Sequence, residues 1–376
     1  MEQWRNIRKY LHKHPELSGD EQQTASYILK KLQIFKPDRI YTNIGGHGIA
    51  VCFDSNKPGP NILFRSELDA LPIEELNDFE YKSIKAGISH KCGHDGHMAI
   101  ILSLAKKISE TPPLIGSVTL LFQPAEETGQ GANAVVNDDK FNLFKPDFCF
   151  ALHNLPGHSA GEVLLRSGNF NCASRGVCIK LKGKTAHAAY PETGISPANM
   201  LAELMQTLPH IADDLEYEEL IMLTLIHCSM GEEAFGTAPA DGKLLATLRA
   251  ESNMAMQALV DKVTTKVTLC AKQNNLALEI TWFDIFNASV NNPQCVKHIA
   301  DAAASCGHHI TWLDKPFRWS EDFGAISSKT KGAMFAFGAG EQTPQLHNPD
   351  YDFPDQLIIQ GRNIFFKIYQ NLLCDK

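Results

Sequence analysis

At 376 residues the chain exceeds what one hydrophobic core usually organises, so two domains are expected, and 44% apolar with 21% charged residues is the composition of a folded chain rather than a disordered one. A formal net charge of −8, with no local cluster of lysine and arginine, excludes a surface built for nucleic acid. The opening Met-Glu-Gln-Trp-Arg lacks the features of a signal peptide, no apolar run approaches bilayer length, and the ten cysteines follow no framework spacing. The expectation is therefore a cytoplasmic chain without a membrane partner, its thiols mostly reduced.

From Gln3 to Leu32 the apolar positions Trp4, Ile7, Leu11 and then Ala25, Ile28, Leu29, Leu32 recur at helical spacing, interrupted at His14-Pro15, which predicts two helices. Gly48 to Phe53 and Asn61 to Arg65 read as strands joined by the turn-forming Ser55 to Pro60, as a hairpin or as neighbours in a sheet. After Arg65 the run Ser-Glu-Leu-Asp puts Glu67 and Asp69 at the end of a buried strand, where α/β sheets present functional groups. His90 to His97 then reads His-Lys-Cys-Gly-His-Asp-Gly-His, a density of soft and borderline metal ligands that packing alone rarely requires. Gly93 and Gly96 permit a tight turn that aims Cys92 and His94 at one point, just before the helix predicted over Met98 to Leu104.

The strand Gly116 to Phe122 runs into Gln-Pro-Ala-Glu-Glu, whose adjacent Glu126 and Glu127 point in different directions and can hold different jobs at one site. Another strand, Asp147 to Leu152, ends at His153. From about Ser174 the texture changes to strand (Gly176 to Leu181), helix (Ala198 to Leu208), strand (Leu220 to Cys228), strand (Leu244 to Arg249), helix (Met254 to Ala271) and strand (Leu276 to Phe283). The predicted fold class is thus α/β in two domains: a mixed-sheet α/β catalytic domain over 1–173 and 285–376, with an inserted βαββαβ (ferredoxin-like) lid domain over 174–284. A helix (Gln294 to Cys306), a strand (Gly332 to Phe337), a loop carrying His347 and a closing helix (Gln356 to Leu373) complete the first domain.

The candidate metal ligands are Cys92, His94, Glu127, His153 and His347, with Glu126 left over. Five protein ligands suit two ions better than one if a ligand bridges, and Cys92 is the choice for the bridge. Glu126 then stands free as a general base that later returns the proton to a departing amine. Zinc or manganese suits this set, and cobalt or nickel accepts parts of it. A Cys-His nucleophile is the competing reading of Cys92.

Several motifs together resemble the aminoacylase and carboxypeptidase superfamily of dinuclear metallopeptidases, in its amidohydrolase branch. They are Leu11-His-Lys-His-Pro-Glu-Leu17, Asp69-Ala-Leu-Pro-Ile73, Cys92-Gly-His-Asp-Gly-His97, Phe122-Gln-Pro-Ala-Glu-Glu127, Ala151-Leu-His153, Ala186-His187, Ser320-Glu-Asp-Phe323 and Leu346-His-Asn-Pro-Asp-Tyr-Asp-Phe353, in that order over nearly the whole chain. The resemblance implies a metal-dependent amidohydrolase acting on N-acyl amino acids or related small amides. It implies Cys92 bridging, His94 and His153 on one metal, Glu127 and His347 on the other, Glu126 as base and Asp69 orienting His94. It further implies that His187, on the lid, binds the tetrahedral oxyanion, that Arg249 holds a substrate carboxylate, and that two copies form a homodimer through the lid. Departures from the branch are Glu67 where aspartate is usual, Trp319 where glycine is frequent, and Gly236 where an asparagine commonly meets the substrate. A dipeptidase or carboxypeptidase using the same site, and a noncatalytic metal-binding protein, are the alternative readings.

Overall fold

The computed structural model describes residues 1–213 and 215–374, and these form two compact units. The first comprises Met1–Phe170, Ser289–Pro316 and the chain from Glu321 onward; the second comprises Asn171–Ala288 and the short segment Phe317–Ser320. Among the described residues no helix is long and apolar enough to cross a membrane.

The first unit has a mixed α/β fold around an eight-stranded sheet in the order Arg39–Ile44, Gly48–Asp54, Ser117–Gln123, Asn61–Glu67, Phe148–Pro156, Lys331–Gly340, Val163–Leu165, Ile310–Trp312. Its centre is parallel: Asn61–Glu67 pairs in parallel with both Ser117–Gln123 and Phe148–Pro156, and Phe148–Pro156 pairs in parallel with Lys331–Gly340. These strands read as continuous apolar runs because both faces are covered, and Phe64, Leu120, Phe150 and Phe335 are fully buried. The helices His94–Glu110 and Gln356–Leu373 supply Met98, Ile101, Leu357, Ile364 and Ile368 to the same core.

Two expectations are corrected. Gly48–Asp54 and Asn61–Glu67 are not neighbours, because Ser117–Gln123 lies between them, antiparallel to the first and parallel to the second. The true hairpin partner of Gly48–Asp54 is Arg39–Ile44, of whose side chains only Ile44 is buried, so the strand lacks a continuous apolar run; Gly45 and Gly46, at φ 59° and 121°, make the turn. Second, the metal-motif helix begins at His94 rather than at the apolar run, so His94 stands in its first turn with Cys92 just ahead of it.

The second unit holds a four-stranded antiparallel sheet in the order Ile221–Met230, Asp241–Ala250, Ala173–Lys182, Ala277–Phe286, with helices Ala198–Thr207 and Asn253–Gln273. Val177, Ile179, Leu244, Ala246 and Leu248 alternate inward from the strands and pack with Leu201, Leu204, Met256, Leu259 and Val263 of the helices. Ser252 caps the longer helix, its hydroxyl accepting from Ala255 N–H at 3.1 Å. Phe317–Ser320, which the sequence reading assigned to the first domain, groups with this unit because Cys172 N–H donates to the Phe317 carbonyl at 3.0 Å and Arg249 Nη1 to the Arg318 carbonyl at 2.8 Å.

Candidate metal centre

The site is built where strands of the first unit end and the helix His94–Glu110 begins. Gly93 precedes that helix at φ 95°, and a Cβ there would also collide with the Asn154 side chain. Gly96 serves differently from the expected part in a tight turn: it lies inside the helix, and a Cβ would run into the Phe353 ring. His153 does not end its strand but sits within Phe148–Pro156, opposite Ala336 of the neighbouring parallel strand.

Ligand-capable atoms of Cys92, His94 and His153 lie within 4.8 Å of one another, and so do those of Cys92, Glu127 and His347. The two groups share Cys92. Its Sγ is 3.4 Å from His153 Nε2, while His94 Nε2 stands 3.7 Å from Glu126 Oε2 and 3.8 Å from Glu127 Oε1, and His347 Nε2 stands 3.7 Å from Glu127 Oε2. The Cys92–His153 contact is within hydrogen-bond reach for sulfur, whereas the other gaps exceed a hydrogen bond and leave room for cations bound at roughly 2.0 to 2.3 Å between the side chains. His94 Nε2 and Glu127 Oε1 are buried with no hydrogen-bond partner, at a cost of about 1 to 3 kcal/mol each that coordination would remove. Thiolate, imidazole and carboxylate donors in this arrangement fit divalent cations.

The electrostatics agree. Burial, with Glu321 and Glu127 beside it, pushes the Glu126 carboxyl well above the usual range; burial, with Asp69 adding to it and His94 opposing, pushes Glu127 up to about 7. Burial and then Glu127 and Glu126 push the Cys92 thiol up as well. Burial opposes a charge on His94, yet Asp69, Glu67 and Glu127 together raise it to about 10, whereas burial and His97 lower His153 to about 4. Burial is common to all of them, and the negative groups that raise Glu126, Glu127, Cys92 and His94 are ones a cation would neutralise.

Asp69 has a role the sequence did not suggest. His94 Nδ1 donates to the backbone carbonyl of Asp69 at 2.9 Å, with the carboxylate Oδ1 farther off at 3.5 Å. The other carboxylate oxygen, Oδ2, accepts from Glu127 N–H at 2.9 Å and from Ser18 Oγ at 2.7 Å, so Asp69 touches His94 and fixes the Glu127 backbone as well. Sequence reasoning also missed a buried guanidinium: Arg65 binds Glu67, both oxygen atoms of Glu321 and Asp322, and Glu67 in turn holds His97 Nδ1 at 2.7 Å. The signal was present in Arg65-Ser-Glu67 and Ser320-Glu-Asp322, but only folding brings the two segments together.

His187 and Arg249 belong to the second unit. His187 is exposed in a two-residue strand paired with Thr237, and its Nδ1 accepts from Ala189 N–H at 3.0 Å. Arg249 donates to the Arg318 carbonyl and to Ser320 Oγ at 3.0 Å, and no ion pair among the described residues involves it. Burial lowers its pKa, with Cys172 opposing.

The chain is similar to hippurate hydrolase of Campylobacter jejuni, 28% identical over 371 residues that cover 97% of this chain and 95% of the relative. It is also similar to N-acetyldiaminopimelate deacetylase of Lactobacillus helveticus, 27% identical over 368 residues that cover 95% of this chain and 94% of the relative. Among solved structures, YXEP of Bacillus subtilis, a dinuclear metal-binding peptidase of the M20 family, superposes with a TM-score of 0.83 at 23% identity, covering 99% of this chain and 98% of the other. The model of peptidase family M20/M25/M40 matches residues 63–371, a span holding every residue of the two ligand groups, and the chain belongs to that family.

Proposed function

We propose that this protein is a metal-dependent amidohydrolase that cleaves the amide bond of N-acyl amino acids or related small amides with water, releasing an acid and an amine. The observation that carries this reading is the pair of ligand groups sharing Cys92, with Glu126 buried beside them. The relatives named for hydrolysing hippurate and for deacetylating N-acetyldiaminopimelate support the substrate class. Cys92, His94 and His153 would hold one divalent ion, and Cys92, Glu127 and His347 a second. Bound there, the two ions would polarise the scissile carbonyl and acidify water.

Glu126 takes the proton from the attacking water and returns it to the amine nitrogen as the carbon–nitrogen bond breaks. Asp69 keeps the neighbouring glutamate turned away from this task by fixing its backbone N–H. The second unit, whose strand and helix order matches the split βαβ sandwich, serves as a lid in which His187 donates to the tetrahedral oxygen and Arg249 receives a substrate carboxylate. Its edge strand Ile221–Met230 exposes Ile226 and Met230, which supports a homodimer formed through this unit.

The deciding experiment is a panel of N-acyl amino acids and dipeptides, assayed for released amine with added zinc or manganese and again after chelation. Turnover of N-acyl substrates, abolished by chelator and restored by metal, is expected. Unchanged turnover after metal removal, together with covalent labelling of Cys92 by substrate, would make Cys92 a nucleophile and end the proposal.

A further inference from the structure

Lys91 precedes the shared ligand Cys92, and its side chain is fully buried, with 0% exposure against 1% for its partner Glu75. A buried ammonium is expensive unless each donor is used, and this one donates to Glu75 Oε1 at 2.6 Å and to the Tyr351 carbonyl at 2.8 Å. The carbonyl of the same Lys91 accepts from His347 N–H at 2.8 Å. One residue therefore grips the loop at both His347 and Tyr351, and that loop has no helix or strand of its own to hold it.

His347 also needs holding. Its backbone sits at φ 66°, a left-handed conformation that costs a non-glycine residue free energy and persists only where surrounding contacts impose it. Its side chain is 52% exposed, so packing does little to fix it. The clamp has a second anchor in Glu75, which accepts from Ser83 N–H at 2.7 Å and pairs with His12 Nε2 at 2.9 Å, so Lys91 is tied to a carboxylate that is itself held by the opening helix and by backbone. His94 and His153, in contrast, stand on a helix and a strand of the core and need no such clamp.

We infer that Lys91 is a positioning residue that sets the metal position formed by Cys92, Glu127 and His347, by joining the loop of His347 to the turn of Cys92, and that it does so without touching metal or substrate. This rests on the two-ion reading above. The test is graded chelator stripping of the full-length zinc-loaded protein, with retained zinc measured by elemental analysis, for the parent, Lys91→Met, His347→Ala and the double variant. Lys91→Met is expected to lose one zinc equivalent at roughly 10- to 100-fold lower chelator strength while the other is held as in the parent. In the His347→Ala background the same substitution is expected to add nothing, since the contact it supports is already gone. Lys91→Gln, which keeps one shorter donor, should fall between parent and Lys91→Met, and carries the comparison if Lys91→Met shows no cooperative melt. Equal shifts of both equivalents, no shift of either, or an undiminished effect in the His347→Ala background would each overturn the role of Lys91. A parent that holds fewer than two equivalents would instead overturn the two-ion reading itself.

Discussion

Glu126 and Glu127 are adjacent in sequence yet differently bound. Both carboxylates stand beside His94, Glu126 Oε2 at 3.7 Å and Glu127 Oε1 at 3.8 Å, but Glu127 has its N–H tied to Asp69 and an oxygen 3.7 Å from His347, while Glu126 is shifted by burial and by Glu321, Glu127 and Asp322. The proposed assignment of base to Glu126 and ligand to Glu127 rests on Glu127 alone standing beside both Cys92 and His347. Glu126→Gln preserves shape and removes the base, so kcat is expected to fall by about 10² to 10⁴-fold with metal content unchanged. Elemental analysis of the variant beside its steady-state kinetics checks this; fewer bound ions in Glu126→Gln than in the parent would mean the two glutamates exchange roles.

At the scale of elements, the opening helix Glu2–Lys13 is fastened to the metal-motif helix by buried charge rather than by apolar packing alone. Arg8 pairs with Asp95, Asp352 and Asp355, and His12 bridges Asp95 Oδ2 and Glu75 Oε1, each at 2.9 Å. Burial works against a charge on His12, but the bonds to Asp95 and Glu75 outweigh it and raise its pKa to about 9. Because the folded value lies above the unfolded value of about 6.5, this stabilisation is complete below pH 6.5 and disappears as pH rises through about 9. Glu75 is shifted the other way: burial opposes its charge, but the bonds from His12 and Lys91 lower its pKa to about 2, so its share persists at neutral pH and fades only in strong acid. The parent should thus exceed His12→Asn in unfolding free energy by an amount on the order of 3 kcal/mol near pH 6, shrinking steadily toward pH 10. Denaturant titrations of both proteins at fixed metal across that range measure it, and a difference that stays flat with pH would show that His12 is neutral in the fold.

For the molecule as a whole, the question is whether catalysis draws on the second unit. The only imidazole flanked there by small residues on a short paired strand is His187 in Thr185-Ala-His-Ala-Ala189, among the described residues. A donor that meets oxygen chiefly in the transition state contributes to kcat more than to KM, so His187→Ala is expected to lower kcat by about 10² to 10³-fold with metal content and thermal melting unchanged. Mixing His187→Ala with Glu126→Gln separates two arrangements: recovered activity in verified mixed dimers would show the histidine acting on the partner's site, and no recovery would place it with its own chain. Near-parental kcat in His187→Ala alone would remove the residue from the mechanism.

What the sequence determined by itself was local or periodic. The helical and strand runs follow from apolar spacing, and the turn at Cys92 to His94 follows from a glycine that can adopt φ 95°. The adjacency of Glu126 and Glu127 needs no folding to be seen. What only the tertiary structure decided was convergence. The order of the strands, with Ser117–Gln123 inserted between Gly48–Asp54 and Asn61–Glu67, is a set of long-range pairings that no local pattern encodes, and it is this order that brings Asp69 to Glu127. The Arg65 cluster, the partnerless nitrogen of His94 and the Lys91 clamp on the His347 loop are likewise invisible in the chain read in order. Each joins segments far apart in sequence, and a buried charge reveals its role only when the groups that neutralise it are known.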